Sequence, residues 1–399
     1  MGFMFSVEFI SSTTSSWCGV EMRGAYKVYN QLRPLVHILF TRDVVYYMIL
    51  MFCLKQYVAI DRNTSHPYCV TYVERIGPII TDSLFPTNIR ATEGNNINGP
   101  SLISVPEWIE NRLGDYYLYF SHHRGQYIRL AYANNVSGPY SLHTEGVSMK
   151  SSIVYNHIAS PDVHIDNSSH SIVMYFHTLD KSSGHGQYTH MAVSHDGLHF
   201  EMQAKDISRY YFRRFNALGE VFGMSPNNDG DGSRTFSLLH RSRHSERYRL
   251  PTNMSFFPRA RHIFVHPIAD NTVVALYSML FEAPERVYCS QLRIVRSKTR
   301  ASDCPYAIPQ KRKNVTTISD RCNYVWVTLG EQQTVLFPSI SYEGGGLPIT
   351  HSKNGVSREF AREIRDPYVF VDRSTDTSYL LYTIGGEKGI ALAKIQFVV

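Results

Sequence analysis

From about residue 95 the chain alternates short apolar runs with polar turns. Helical periodicity is almost absent, and the pattern recurs roughly every 50 residues. A first unit holds Asn98-Gly99-Pro100-Ser101-Leu102-Ile103, then Tyr116–Phe120, then Tyr127–Tyr132. A second holds Ser160-Pro161-Asp162-Val163-His164-Ile165, Ile172–Phe176 and His190–Ser194, with Asp196-Gly197 as a hairpin turn. The third runs from Tyr211–Phe215 through Val221–Met224 to Thr235–Leu239. The fourth takes Arg261–Val265, Thr272–Tyr277, Arg286–Ser290 and the outer run Tyr324–Val327. The fifth takes Arg365–Phe370, Tyr379–Thr383 and Gly389–Ala393. Five like units of about four short strands predict an all-β, five-bladed β-propeller over residues 81–399. A sandwich of evenly spaced strands is the competing reading, but its strands need not resemble one another in order and content.

Residues 1–80 do not share the pattern and are read as an atypical N-terminal extension. Its apolar run, Val44–Leu54, is too short to span a bilayer and too far from the start for a signal peptide. No stable membrane insertion is expected, and the compartment is left open.

Composition sharpens the β reading. Of 399 residues, 27 are Tyr and 21 are Phe, both strand formers. The formal charge of +6 raises the question of nucleic acid. The basic clusters, Arg241 to Arg249 and Lys311-Arg312-Lys313, fall in polar loops rather than on one stripe, so no nucleic-acid partner is expected. The six Cys form no CxxC pair or finger spacing, and no HExxH is present, so no metal site is expected. Nothing calls for a cofactor, and a structural Ca²⁺ in the channel is left open.

Propeller geometry brings the starts of the inner strands, the loops between second and third strands and the links between blades to one face. The strand starts are Asn98, Asp162, Arg213, His262 and Asp366. The loops add His122, His123, Arg124, His177 and Glu387, and the link into the fifth blade adds Glu343. Paired carboxylates ringed by His and Arg suit glycosidic-bond hydrolysis, with Trp108, Tyr211 and Tyr342 as stacking faces for sugars.

These residues resemble the five-bladed propeller glycoside hydrolases: the arabinanase and xylosidase-like, invertase-like and neoagarobiose-hydrolase-like families. The likeness rests on Arg365-Asp366-Pro367, Ser160-Pro161-Asp162 and Asn98-Gly99-Pro100. It is closest to an uncharacterised subgroup and covers roughly residues 90–397. The resemblance implies an inverting hydrolase of an oligo- or polysaccharide, with catalytic candidates Asp162, Asp366, Glu343 and His262. Asn98, His123, His177, Arg213 and Glu387, which converge on the same face, are the substrate-binding candidates. Two departures stand out. Asn98 occupies the place of a general-base Asp, and the third blade opens with Phe212-Arg213 instead of an acid Glu, with Glu220 on the wrong face. Glu343 or His262 is then the expected proton donor, and Asp162 and Asp366 compete for the base. A non-catalytic carbohydrate-binding propeller is the alternative.

Overall fold

The computed structural model describes residues 68–89, 96–123, 125–150, 157–179, 186–228, 234–241, 248–249, 255–296 and 324–398. The apolar run 44–54, Arg124, the run 311–313 and four of the six Cys lie outside the described residues.

The first strand in the chain is β1 (Val70–Thr81). Blade one is β2 (Asn98–Ser104), β3 (Tyr116–Ser121), β4 (Arg129–Ala133) and β5 (Ser141–His143), in that order across the sheet. Blade two runs outward as β7 (Ile158–Asp166), β8 (Ser171–Leu179), β9 (Gln187–Ser194) and β10 (His199–Arg209). The short β6 (Ser148–Lys150) pairs parallel to β10 on its outer edge. In blade three, β11 (Arg213–Ala217), β12 (Glu220–Asn228) and β13 (Arg234–Arg241) are edged by β14 (Tyr248–Arg249) and β15 (Ser255–Phe256), both paired with β13. Blade four is β16 (Ala260–Ala269), β17 (Thr272–Met279), β18 (Val287–Arg296) and β19 (Tyr324–Leu336). Blade five is β20 (Ile364–Asp372), β21 (Thr377–Ile384) and β22 (Gly389–Phe397), and β1 completes it antiparallel to β22. The five sheets make the five-bladed propeller.

The boundary at residue 81 needs correction. Residues 70–80 belong to the propeller, because β1 supplies the outer strand of the last blade and joins the two ends of the propeller chain in one sheet. Its outward position explains why the repeat did not reveal it. Most of its side chains are exposed or half-buried, so the apolar run that marks an inner strand is absent.

Apolar faces pack from blade to blade. Ile103, Tyr117 and Tyr119 of blade one meet Met174, Phe176 and Phe200 of blade two in one cluster. Phe215, Phe222 and Phe236 of blade three meet Ile263, Val273 and Leu292 of blade four. A third cluster joins Leu118 and Phe120 with Leu276, Leu380 and Leu392. Each aromatic side chain takes a large apolar area out of water, about 25 cal/mol for every Å² buried, and wedges neighbouring sheets together.

Four inner strands begin with the same irregularity. The register slips by one residue between Asn98 and Ser101, Ala159 and Asp162, Ala260 and Ile263, and Arg365 and Tyr368. Such a bulge bends the strand and re-aims a side chain. In three of them a residue before proline has positive φ: Gly99 (60°), Ser160 (53°) and Asp366 (51°). Proline disfavours helical backbone in the residue before it, and a left-handed conformation is costly for all but glycine. Ser160 and Asp366 therefore carry strain at the face where the site was expected, and glycine at 99 meets the same backbone without it.

A substitution tests the strictness of this geometry. A Cβ on Gly99 would lie 3.1 Å from Ser121 Oγ and 3.4 Å from Ser160 Cα, with φ at +60°. Gly99→Ala is expected to cost about 1–2 kcal/mol, chiefly through the left-handed backbone. Urea unfolding of parent and variant measures it, and an unchanged midpoint would contradict the argument.

Candidate functional site

The aligned bulges revise which residues are equivalent. Asp366 of blade five corresponds to Gly99 and Ser160, each the residue before proline. Asn98 is one step earlier and corresponds to Arg365, whereas Asp162 is two steps later than Ser160 and corresponds to Ser101 and Tyr368. The residue of blade one that corresponds to Asp366 is thus Gly99, and not Asn98. The shared proline was the signal in the sequence that would have set this alignment.

Asp366 is 3% exposed and paired on Oδ1 with His262 Nδ1. Its Oδ2 accepts hydrogen bonds from Gly99 N (3.2 Å) and Thr383 Oγ1 (3.0 Å). Burial opposes its ionisation, but the charges of His262 and Arg365 and the hydrogen bonds outweigh it and hold the carboxyl well below the usual range. His262 moves the other way from a charged base. Burial pushes its pKa down more than Asp366 pulls it up, and Arg261 and Arg213 add to the depression. The pair at neutral pH is a carboxylate facing a neutral imidazole.

Tyr211 packs its ring edge-on to His262, with centroids 4.1 Å apart. His177 lies against Tyr211 at 5.0 Å, and His157 against His177 at 5.3 Å. Tyr211 has a positive φ of 53°, unusual for a bulky residue, and Arg234 sits 5.7 Å from its ring centroid. Burial pushes the Tyr211 hydroxyl up to about 12, so it stays protonated. Arg213 donates to the carbonyls of Ser160 and Phe212 at 3.1 Å each.

Asp162 is fully enclosed. Its Oδ2 accepts from His164 Nε2 (2.9 Å) and Arg214 N (2.8 Å), while Oδ1 has no hydrogen-bond partner among the described residues. Burial opposes its ionisation too, but His164 and Arg213 keep its pKa low. On the other side of Asp366, Asn98 Nδ2 reaches Asn96 Oδ1 (2.8 Å) and His123 Nδ1 (3.3 Å). His123 Nδ1 lies 2.9 Å from Glu387 Oε2, and Arg365 holds Glu387 Oε1 at 3.1 Å.

The structure therefore links Asn98, His123 and Glu387 by hydrogen bonds, and Asp366, His262 and His177 through Tyr211. Arg213 acts electrostatically on His262, His177 and Asp162. Glu343 does not join them. It is wholly buried among Arg75 (Nε at 2.8 Å), Ser339 N (3.0 Å) and the Tyr382 hydroxyl (2.9 Å), a knot that ties β1 to β21. Tyr342 packs beside that knot, against the core cluster of blade five. Trp108 stacks on His170 at 5.7 Å, between the β2–β3 and β7–β8 connections, at the far ends of the inner strands. Of the three aromatics, Tyr211 alone meets the cluster. Glu220 pairs with His240.

Sequence reasoning missed Arg365, which is 1% exposed and holds Glu285 (3.2 Å), Glu363 and Glu387 together. Among the described residues no helix is long and apolar enough to cross a membrane, and no group of three or more His, Cys, Asp or Glu is arranged to hold a metal ion.

The neutral histidines have a consequence for stability. Burial depresses His122 to about 3 and His157 to about 4, and takes His177 well below its ordinary value. The unfolded chain takes up these protons near pH 6.5, and the folded chain does so only at lower pH. Unfolding is therefore favoured progressively as pH falls below about 6.5. The low carboxyl pKa values of Asp162 and Asp366 extend the loss below about pH 4. Thermal midpoints between pH 7.5 and 4 should fall steadily, with a shallower slope in His177→Phe. A flat profile would contradict the assignment.

No family model matches the chain. It is 26% identical over 322 residues to an uncharacterised protein of Acanthamoeba polyphaga mimivirus, across 75% of this chain and 83% of that one. Among solved structures it is similar to an endo-arabinase from Bacteroides thetaiotaomicron, at 11% identity, 76% and 94% coverage of the two chains and a TM-score of 0.48. A glycosyl hydrolase from Bacteroides ovatus aligns at 10% identity over 82% of this chain and 94% of that one, with a TM-score of 0.48. An alpha-L-arabinofuranosidase from Lactobacillus brevis aligns at 9% identity over 75% and 90%, with a TM-score of 0.46. By its own sheet order the chain is a five-bladed β-propeller.

Proposed function

We propose that the protein hydrolyses a glycosidic bond of an oligo- or polysaccharide by inversion, at the face where the inner strands begin. The observation that carries this reading is the His262–Asp366 pair. Asp366 takes the Nδ1 side of the ring, which leaves Nε2 with the lone pair that accepts a proton from water. The depressed pKa of His262 makes it a proton acceptor rather than the donor expected from sequence. Asp366 then stabilises the imidazolium as it forms. The Tyr211 hydroxyl, still protonated, gives its proton to the leaving oxygen as the glycosidic C–O bond breaks, and the imidazolium formed on the adjoining His262 returns the proton taken from water to the phenolate.

The state of the carboxylates supports inversion. A retaining enzyme needs a carboxylate free to attack the sugar. Asp366 is engaged on both oxygens, and Asp162 is fully enclosed. Water activated by His262 remains as the nucleophile.

The alternative, a carbohydrate-binding propeller without catalysis, draws on Gly99 and Ser160, which leave Asp366 as the one carboxylate at the three pre-proline positions. A hydrolysis screen on plant and algal oligosaccharides, with Asp366→Asn beside the parent, separates the two. Sugar released by the parent and not by the variant supports the hydrolase. Binding without release in both supports the binding propeller.

A further inference from the structure

The link between β19 and β20 encloses a cavity of about 870 Å³, lined by residues 347–363 of the link and by Arg365. Its wall does not include His262 or Asp162. Glu363 and Arg365 line it, three residues and one residue before Asp366 in the chain. The cavity thus abuts the strand start that carries the proposed catalytic pair.

The link is fixed at both ends. On the blade-four side, Ser352 N donates to Glu282 O (2.8 Å), and Arg261 donates to the carbonyls of Lys353 and Gly355. On the blade-five side, Ala361 N donates to Gly385 O (3.1 Å), and Lys388 Nζ to Arg358 O (2.9 Å). A Cβ on Gly385 would fall 2.3 Å from the Phe360 ring, so this turn needs glycine for the aromatic to seat there. The space beneath the link is therefore formed before any ligand arrives.

Its chemistry is uneven. Lys353, Arg358 and Arg362 face it, and among the described residues none of them is ion-paired with a carboxylate. Arg362 spends its donors on the carbonyls of Pro338 (3.0 Å) and Leu347 (3.5 Å). Glu359 is the opposing exposed carboxylate, since Glu363 is bound to Arg365. Phe360 is 47% exposed and presents an apolar face to the same space. An aromatic face beside unpaired cations fits a sugar ring that bears an anionic group.

We propose that this cavity is a subsite for an anionic sugar residue flanking the bond that is cleaved. Lys353 and Arg358 bind its carboxylate or sulfate, and Phe360 packs on its ring. The inference rests on the hydrolase or binding reading of the same face and names the class of glycan it takes.

Calorimetric titration of the full chain tests it. The probes are uronate trisaccharides and sulfated galactan trisaccharides, each beside its neutral counterpart, methyl-esterified or desulfated. At least one anionic probe should bind tenfold or more tighter than its neutral form, and which one does so identifies the group. The preference should shrink as salt rises and fall by tenfold or more in Lys353→Ala/Arg358→Ala, whose exposed positions leave the thermal midpoint unchanged. Phe360→Ala should weaken both forms alike. Equal affinities, a preference that survives the double variant, or no binding to any probe would overturn the subsite. Charge preference without hydrolysis would remove the hydrolase and leave the subsite standing. Hydrolysis of neutral glycans with no charge preference would do the reverse.

Discussion

Turnover falls by about 10²- to 10⁴-fold when His262 is replaced by Gln, the range that a positioned proton-transfer group supplies. Asp366→Asn should fall nearly as far, for a different reason. The carboxylate accepts from Nδ1 and so keeps the lone pair on Nε2. An amide can donate to Nδ1 instead and stabilise the other tautomer, which has no lone pair where water binds. Residual activity in Asp366→Asn also carries a signature. Asp366 raises the pKa of His262 against burial, so its loss lowers that pKa further. The acid limb of the rate profile, where His262 becomes protonated, should move to lower pH in the variant. A purely structural Asp366 would reduce the amount of folded protein without moving that limb. Steady-state rates from pH 4 to 9 on the best substrate of the screen decide it, and an unshifted limb with full turnover would sink the role given to the pair.

The blades were legible because each inner strand announces itself twice, by a buried aromatic or aliphatic run and by a polar residue ahead of it. The run Tyr-Val-Phe at 368–370 of β20, for example, is buried at all three positions and follows Asp366. Two features were not legible. β1 pairs with β22 across more than three hundred residues, and an outer strand with mainly exposed side chains carries no repeat signature. Side-chain partnership was the other. Glu343 and Glu387 read alike in sequence, as loop carboxylates near blade five. The fold sends Glu343 to Arg75 and Tyr382, and Glu387 to His123 and Arg365. Arg75 belongs to the very strand the sequence had not placed, so the fate of Glu343 could not be read without it. Tyr211 was found as an aromatic near a strand start, but its contact with His262 depends on a positive φ that its own sequence does not announce.

Arg365→Met is expected to be the most destabilising single change near the site, at about 3–5 kcal/mol, the range for removing one partner of a buried ion pair. The guanidinium is 1% exposed and serves Glu285, Glu363 and Glu387 from two nitrogens. Arg261 shares Glu285 at 2.9 Å and His123 shares Glu387, but Glu363 has no second cation at ion-pair distance among the described residues. Burial already pushes Glu363 up, more than Arg365 pulls it down, so this carboxylate has the most to lose. Arg365→Lys should fall between parent and Met, because one compact ammonium cannot span three carboxylates in the way a planar fork does. The deficit should also depend on pH in a definite sense. Without Arg365 the carboxyl pKa values rise in the folded state above their unfolded values. The folded variant then holds protons that the unfolded chain has released, and its stability relative to the parent improves as pH falls from 7 towards 5. Urea unfolding of parent, Lys and Met forms at pH 7 and pH 5 measures both effects. A deficit under about 1 kcal/mol, or one that does not shrink at pH 5, would mean that water or backbone rearrangement satisfies the three carboxylates without the arginine.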